Sequence, residues 1–537
     1  MAHPLPLRLY NSLTRRLEAV VPQRAGEVRM YCCGPTTYDV SHVGHGRSAV
    51  LPDLLVRHLR AHGLNVVYAR NITDVDDKIV HRARERSEEP LALSARFALA
   101  YQHDVARLGC VPPTHEPRVS ECLPEIISMI ERLITNGAAY AVPAGAGHDV
   151  WYAVRQFAGY GKLSGRNLDD LQAGEGLEER GKVVHHDKRD PFDFALWKSA
   201  PDGEWAFDSP WGRGRPGWHI ECSAMTEKFL GFGFDLHFGG MDLLFPHHEN
   251  EIAQSEACHP GEGDFCRHWV HGGFITVDRE KMAKSLGNFF TLADCFARND
   301  PEALRYFYLS AHYRGPIEFD VQRVDAQGHV IPLDAPRQDG ERTIFPGLDE
   351  AEERVDYLYS ALERLDGLAA QAPDGAEGGI KELAKLAQTV RSARARVTSA
   401  LDEDLNTSAA IAVVGELAKA GNDLVDLAVK RRKDARFFGG AALLAREAAD
   451  ALRSSTDVLG LLQVTPVAYQ TRCQDRRLRL RGLEREAIDS RIAARVEART
   501  ARDFARSDSL RQELTALGVE VFDSPTGSTW RIGQRTS

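Results

Sequence analysis

The sequence predicts an α/β fold built on a parallel sheet, followed by an α-helical bundle and a small mixed C-terminal module. Three observations carry this. Strand-like and helix-like segments alternate through the first 110 residues, the pattern of parallel strands joined by crossover helices. From 351 to about 465 the chain is Ala/Leu/Arg-rich with a helical period near 3.6, as in a bundle. Residues 466–537 combine two helical stretches with a short strand pair ending in Gly527-Ser-Thr-Trp530-Arg531.

Taken in order, residues 1–120 form the first half of the sheet. Val28 to Cys33 reads as a strand, and His-Val-Gly-His at 42–45 opens a helix over 45–62. Pro52 lies inside that helix and should kink it or shift its start. The carboxylates of Asn71-Ile-Thr-Asp-Val-Asp-Asp-Lys78 suit helix capping and salt bridges better than a metal. Residues 121–210 break the pattern: an amphipathic helix, Leu123 to Thr135, precedes Gly-rich and charged loops with short strands. The sheet resumes around 211 and runs, with its following segments, to 320. It includes a strand, Gly273 to Val277, before the basic loop Lys-Met-Ala-Lys-Ser at 281–285. In 321–350, Val-Ile-Pro-Leu and Thr-Ile-Phe around polar turns suggest a hairpin, in a surface insertion that either contacts a nucleic-acid partner or, the simpler reading, is merely tolerated.

Two kinds of chemistry are visible. A helix N-terminus attracts phosphate through unpaired N–H groups and a partial positive charge. His42 and His45 can add hydrogen bonds there, and Gly44 leaves room for a nucleotide. Lys281 and Lys284 supply point charges for a pyrophosphate leaving group. Separately, Cys33, Cys222, His247 and Glu251 are metal-ligand types carried by Tyr-Cys-Cys-Gly-Pro-Thr-Thr-Tyr-Asp (31–39), Gly-Trp-His-Ile-Glu-Cys-Ser-Ala-Met (217–225) and Phe-Pro-His-His-Glu-Asn-Glu (245–251). On a helix, His247 and Glu251 share one face while His248 points elsewhere. Zinc accepts such a sulfur, nitrogen and oxygen mixture. The chain has no CxxC, so a closed structural site fits less well than an active-site ion.

The first and second segments resemble the HIGH and KMSKS segments of class I aminoacyl-tRNA synthetases. With the three metal segments, the chain from about residue 7 to its end, except around 321–350, is similar to the cysteinyl-tRNA synthetase family. That resemblance implies a Rossmann-type catalytic domain split by a connective insertion (121–210), a stem-contact region near 290–320, the helical bundle (351–465) and an anticodon-binding module (466–537). It implies activation of L-cysteine with ATP and Mg2+, and loading of a cysteine tRNA. It makes Cys33, Cys222, His247 and Glu251 ligands of one Zn2+ that binds the substrate thiolate, and Trp218 and His237 substrate-pocket residues. Core packing alone explains Trp218 equally well at this stage. Gly239, Gly240 and Asp242 match the segment that meets the ribose. Arg499, Phe504, Asp508 and Asp523 match anticodon contacts. The chain departs from the family pattern at Ala283, usually Ser, and at Val43, Thr37 and Phe504, where many members carry a larger aromatic. A related ligase that joins cysteine to an amino sugar lacks the C-terminal region, so residues 351–537 argue against it.

Bulk properties set bounds. The chain has 537 residues, 43% hydrophobic and 27% charged, as soluble multidomain proteins do. No stretch has signal-peptide or membrane-span character, and nine cysteines in this length do not make a disulfide scaffold. A cytoplasmic monomer without membrane contact is expected. Net charge of −10 argues mildly against nucleic acid, yet Arg472, Arg476, Arg477, Arg479, Arg481 and Arg485 crowd one stretch. Lys430, Arg431, Arg432, Lys433 and Arg436 crowd another. Each is either a tRNA patch or a solvated helix face.

Overall fold

The computed structural model describes residues 6–170, 188–277, 280–281, 289–325, 327–332, 335–336, 339–524 and 527–533. The chain divides into two compact units. The first is Met1–Ile275 with Leu309–Ile317 and Ala395–Ile411; the second is Thr276–Tyr308 with Glu318–Arg394 and Ala412–Ser537.

The first unit holds the parallel sheet. Strand β1 (Glu27–Cys32) leads into helix α1 (Val43–Ala61) and strand β2 (Asn65–Arg70). Helix α2 (Leu123–Thr135) then opens an antiparallel sheet of β3 (Ala139–Ala144), β4 (Gly147–Tyr152), β5 (Phe194–Ser199) and β6 (Gly214–Pro216), paired in chain order. Helix α3 (Trp218–Leu230), strand β7 (Phe234–Gly240), helix α4 (Glu249–Cys258) and strand β8 (Cys266–Gly272) complete the unit's frame. The parallel order is β8-β7-β1-β2, with Tyr31 beside both Ala69 and His237. All but one residue of β1 is buried, as a strand covered on both faces requires. The chain steps from β1 to β2 on one side and, after the antiparallel sheet, returns to β7 on the other. The carboxyl ends of β1 and β7 therefore flank a topological switch point, where ligands of such sheets bind.

Several expectations shift. α1 starts at Val43, two residues early, and passes Pro52 without ending. The Ser48 carbonyl gives up its helical N–H partner there, while Leu51, Leu54 and Leu55 around it are buried. The antiparallel sheet reaches Pro216, past 210, and the parallel sheet resumes only at Phe234. α2 matches its expected bounds because Ile126, Met129, Ile130 and Leu133 fill one stripe. Asp76 caps the helix Asp77–Arg86, and Asp77 pairs with Lys198 and Arg215, so the Asn71–Lys78 carboxylates are structural.

In the second unit, residues 321–350 are not a simple hairpin. Val330–Ile331 and Arg342–Ile344 both pair with Gln322–Val324 at the centre of a three-stranded sheet. Arg323, buried, holds this sheet by bonding Glu341 and the carbonyls of Pro332, Ala335 and Pro336. The helical region comprises Pro346–Ala369, Ala384–Asp402, Thr407–Lys430 and Ala435–Asp457, of which Ala395–Ile411 belongs to the first unit. The tail has three helices rather than two: Pro466–Arg479, Arg485–Thr500 and Phe504–Ala516. Arg502 turns left-handed between the last two and Asp503 caps the third. Helices and hairpin close over Leu478, Ile488, Leu514, Val519 and Ile532.

The first basic run is largely committed within the protein, although Arg472 and Arg479 are exposed. Arg476 is buried against Asp300 and Glu352, Arg477 bonds Glu352 and Asp356, and Arg472 bonds Asp300. Arg481 bonds the carbonyls of Leu517, Gly518 and Gly533, and Arg485 bonds Asp475. In the second run Arg431 pairs with Asp434.

Near this network Glu302 is 8% exposed, accepting the Leu462 N–H and the Tyr359 hydroxyl. Burial pushes its carboxyl up to about 7. A carboxyl raised above its unfolded value stabilises the fold below the unfolded pKa and loses that contribution as pH rises through the folded one. Glu302→Gln is therefore expected to raise the thermal midpoint at pH 8, by up to about 3 kcal/mol of stability. It should also flatten the stability profile between about pH 4.5 and 7. An unaltered profile in thermal melts across that range would refute the assignment.

Candidate active site and metal centre

Cys33 is the first residue past β1, at the switch point. The next residue must be glycine: a Cβ on Gly34 would lie 1.6 Å from the Asn71 carbonyl oxygen. Cys222 sits in the second turn of α3, and Glu251 in the first turn of α4. His247 does not share a regular helix with Glu251. Residues Leu244–His248 form a wide turn interrupted at Phe245, with the His248 N–H bonded five residues back to Leu243. This turn sends both histidines to the same side. His248 Nε2 thus lies 3.5 Å from Cys33 Sγ, which corrects the expectation that it faces elsewhere.

The four predicted ligands converge. Cys33 Sγ is 3.8 Å from Cys222 Sγ, 3.5 Å from His247 Nε2 and 3.4 Å from Glu251 Oε1, and His247 Nε2 is 3.0 Å from Glu251 Oε1. Bonds of about 2.3 Å to sulfur and about 2.0–2.1 Å to nitrogen and oxygen place tetrahedral ligand atoms about 3.4–3.8 Å apart. The sulfur-containing edges, 3.4–3.8 Å, lie in this range, and the N–O edge, 3.0 Å, falls below it at hydrogen-bond distance. The donor set therefore fits a single zinc-sized ion. Cys33, His237, His248 and Glu251 form an overlapping group with one sulfur, but His237 there serves the other carboxylate oxygen, Oε2, at 2.9 Å.

The electrostatics of the cluster suit a cation. Burial pushes the Cys33 thiol well up, while the hydrogen bond from Cys33 brings Cys222 down to about 6, so the two sulfurs share one proton. Burial alone would raise the Glu251 carboxyl, yet His237 and His247 hold it well below the usual range. Burial opposes charge on His247, but Glu251 and Cys222 outweigh it and raise the imidazole to about 10. Protons thus stand where a divalent ion would neutralise two thiolates and a carboxylate.

Supporting residues fix the ligands. His219 Nδ1 lies 2.9 Å from His247 Nδ1, which leaves Nε2 facing the centre. His248 Nδ1 meets His271 Nε2 at 2.8 Å, and His271 Nδ1 meets Ser12 Oγ at 2.8 Å. Sequence reasoning missed His219 and His271 and set His248 aside; His219 adjoins the predicted pocket residue Trp218 and His248 the predicted ligand His247, which was the available signal. Trp218, 36% exposed, stacks on His247 with centroids 4.3 Å apart, so it forms a wall of the centre rather than plain core. His237 is fully buried behind Glu251 and stacked on Trp269.

At the start of α1 the two histidines cap their own helix. His42 Nδ1 accepts the Gly44 N–H at 3.0 Å, and His45 Nδ1 accepts the His42 N–H at 3.3 Å. Their rings stack 3.8 Å apart. Burial keeps His45 neutral, and an Nδ1 acceptor puts the ring proton on Nε2 as a donor. At the end of β7, a Cβ on Gly239 would meet His248 Cε1 at 2.3 Å, so this glycine makes room for the histidine. Gly240 and exposed Asp242 follow at the same sheet edge.

In the second unit, Lys281 lies in the strand Glu280–Lys281, paired with Thr276; Ala283 and Lys284 lie outside the described residues. In the C-terminal module Phe504 is 64% exposed and Asp508 is exposed. Asp523 is bonded by Arg495 at 2.7 and 2.8 Å and pairs with Arg499, so these groups are partly committed to each other.

Family models match three stretches. Residues 19–328 match the tRNA synthetases class I (C) catalytic domain, 396–463 the DALR domain, and 485–531 the cysteinyl-tRNA ligase anticodon binding domain. The chain is 46% identical over 533 residues to the cysteine–tRNA ligase of Anaeromyxobacter sp. (strain Fw109-5), covering 98% of this chain and all of that one. It is 45% identical over 530 residues to that of Methylococcus capsulatus, covering 98% and 99%. Among solved structures, Mycobacterium tuberculosis methionyl-tRNA synthetase in complex with methionyl-adenylate shares the fold, with TM-score 0.58 at 15% identity over 81% of this chain and 93% of that one. With the sheet, the site and these matches together, the chain belongs to the cysteinyl-tRNA ligase family of class I aminoacyl-tRNA synthetases.

Proposed function

We propose that this ligase selects L-cysteine through a zinc ion held by Cys33, Cys222, His247 and Glu251, and activates it as cysteinyl adenylate. The observation that carries the reading is the convergence of these four donors at tetrahedral spacing beside the switch point. When bound, zinc favours a thiolate over a neutral hydroxyl, which separates cysteine from serine where size does not. The chain's own residues then position ATP. The Nε2–H groups of His42 and His45 and the α1 N-terminus donate to phosphate oxygens. Gly44 leaves space for the nucleotide, and the Gly239–Gly240 backbone and the Asp242 carboxylate meet the ribose. Trp218 walls the substrate side, and His237 holds Glu251 in place. The cysteine carboxylate oxygen bonds to the α-phosphorus as the bond to pyrophosphate breaks. Lys281 and Lys284 offset the charge on the departing Mg2+-bound pyrophosphate. The terminal ribose hydroxyl of the cysteine tRNA next attacks the carbonyl and releases AMP. The enzyme acts in the cytoplasm as a monomer.

Cysteine-dependent ATP–pyrophosphate exchange with the purified chain tests this, with serine far poorer. Absence of exchange at full zinc occupancy would overturn it. Arg499, Phe504, Asp508 and Asp523 are proposed to meet the anticodon, the exposed ring of Phe504 by stacking. Phe504→Ala should cost about 1–3 kcal/mol in kcat/KM for tRNA and leave pyrophosphate exchange untouched. Equal losses in both assays would refute the stacking role.

A further inference from the structure

We propose that His58, His62 and Asp402 form a second divalent-metal site, suited to zinc and its neighbours and separate from the thiolate centre. His58 and His62 close α1 four residues apart, the spacing by which two imidazoles on one helix face share an ion. Asp402 ends the helix Ala384–Asp402 and presents one oxygen, Oδ1, to both rings. It lies 2.8 Å from His58 Nε2 and 2.7 Å from His62 Nε2. The rings stand edge to face, with centroids 4.7 Å apart and planes at 76°.

One imidazole on a carboxylate oxygen is an ordinary hydrogen bond. Two rings from one helix face converging on the same oxygen make a donor set of two nitrogens and one oxygen. Zinc, cobalt, nickel and ferrous ions accept this set with positions left for water. His58 is buried, whereas His62 and Asp402 retain 18% and 15% side-chain exposure, so solvent can reach the open positions. Binding requires each ring to present an unprotonated Nε2 to the ion. The ion would clip the end of α1 opposite the HVGH segment to the turn that follows Asp402. Asp404 in that turn is itself fixed by Tyr313 and Arg314.

The test is zinc stoichiometry by metal analysis and chelator-buffered titration on the full chain. Asp402→Asn keeps an oxygen that accepts both ring N–H groups but removes the anionic ligand; His62→Ala removes a nitrogen from a partly exposed position. Each variant is expected to bind one zinc fewer per chain than the parent. The zinc-dependent rise in thermal midpoint should shrink in both. Comparison by difference makes the result independent of occupancy at the thiolate centre. In cobalt-loaded protein, the thiolate charge-transfer band should be the same in parent and variants. Equal zinc content in parent and both variants would overturn the proposal.

Discussion

Cys222→Ser is expected to lower zinc content by one ion per chain and to cut cysteine-dependent ATP–pyrophosphate exchange by more than 100-fold. Residues that only support a metal ligand cost about 10–100-fold when replaced, and Cys222 is proposed as a ligand itself. Serine is nearly isosteric, so the second turn of α3 keeps its packing. What changes is the donor: a neutral hydroxyl replaces a sulfur whose proton Cys33 already shares at 3.8 Å. With it goes the compensation for Glu251 and Cys33, so cysteine KM should rise along with the fall in kcat. Cys258→Ser is the matched control, because Cys258 is also a buried helix thiol but bonds the Met129 carbonyl, outside the donor cluster. It should retain both zinc and exchange. Unchanged metal content in Cys222→Ser, measured on folded protein, would refute the ligand assignment.

How much of this was legible in the sequence depended on whether the deciding contacts were local. α2 emerged at its expected bounds because its apolar stripe is written within thirteen residues. The four donors could be named because their types are rare together, although the sequence held nothing of their spacing. His248 was misplaced because regular helix geometry was assumed over 247–251, whereas His247 and His248 close a wide turn bonded five residues back. Pro52 was expected to disturb α1, yet burial of its neighbours outweighs one lost hydrogen bond. The capping by His42 and His45 was hidden for a subtler reason. Histidine is read as a ligand-facing group, and here the same ring does both, one nitrogen closing the helix while the other remains a donor.

The arginines of the last third show the reverse case, in which a local pattern misleads. Asp300, Glu352 and Asp356, which neutralise Arg472, Arg476 and Arg477, lie more than a hundred residues earlier, so the run looked uncompensated. Arg476→Ala is accordingly expected to destabilise the second unit by about 3–5 kcal/mol, the usual cost of leaving buried charge without its partner. Asp300 and Glu352 are both fully buried, and Arg476 also bonds the Arg298 carbonyl at 3.0 Å. Arg472→Ala is the contrast: that side chain is 43% exposed, and its fully buried partner Asp300 keeps Arg476, so a smaller cost is expected. Denaturant unfolding of the full chain should therefore rank two arginines four residues apart, with Arg476 the costlier. If Arg476 instead served tRNA, its replacement would raise KM for tRNA and leave unfolding unchanged. That outcome would return the run to the tRNA patch, one of the two readings its sequence left open.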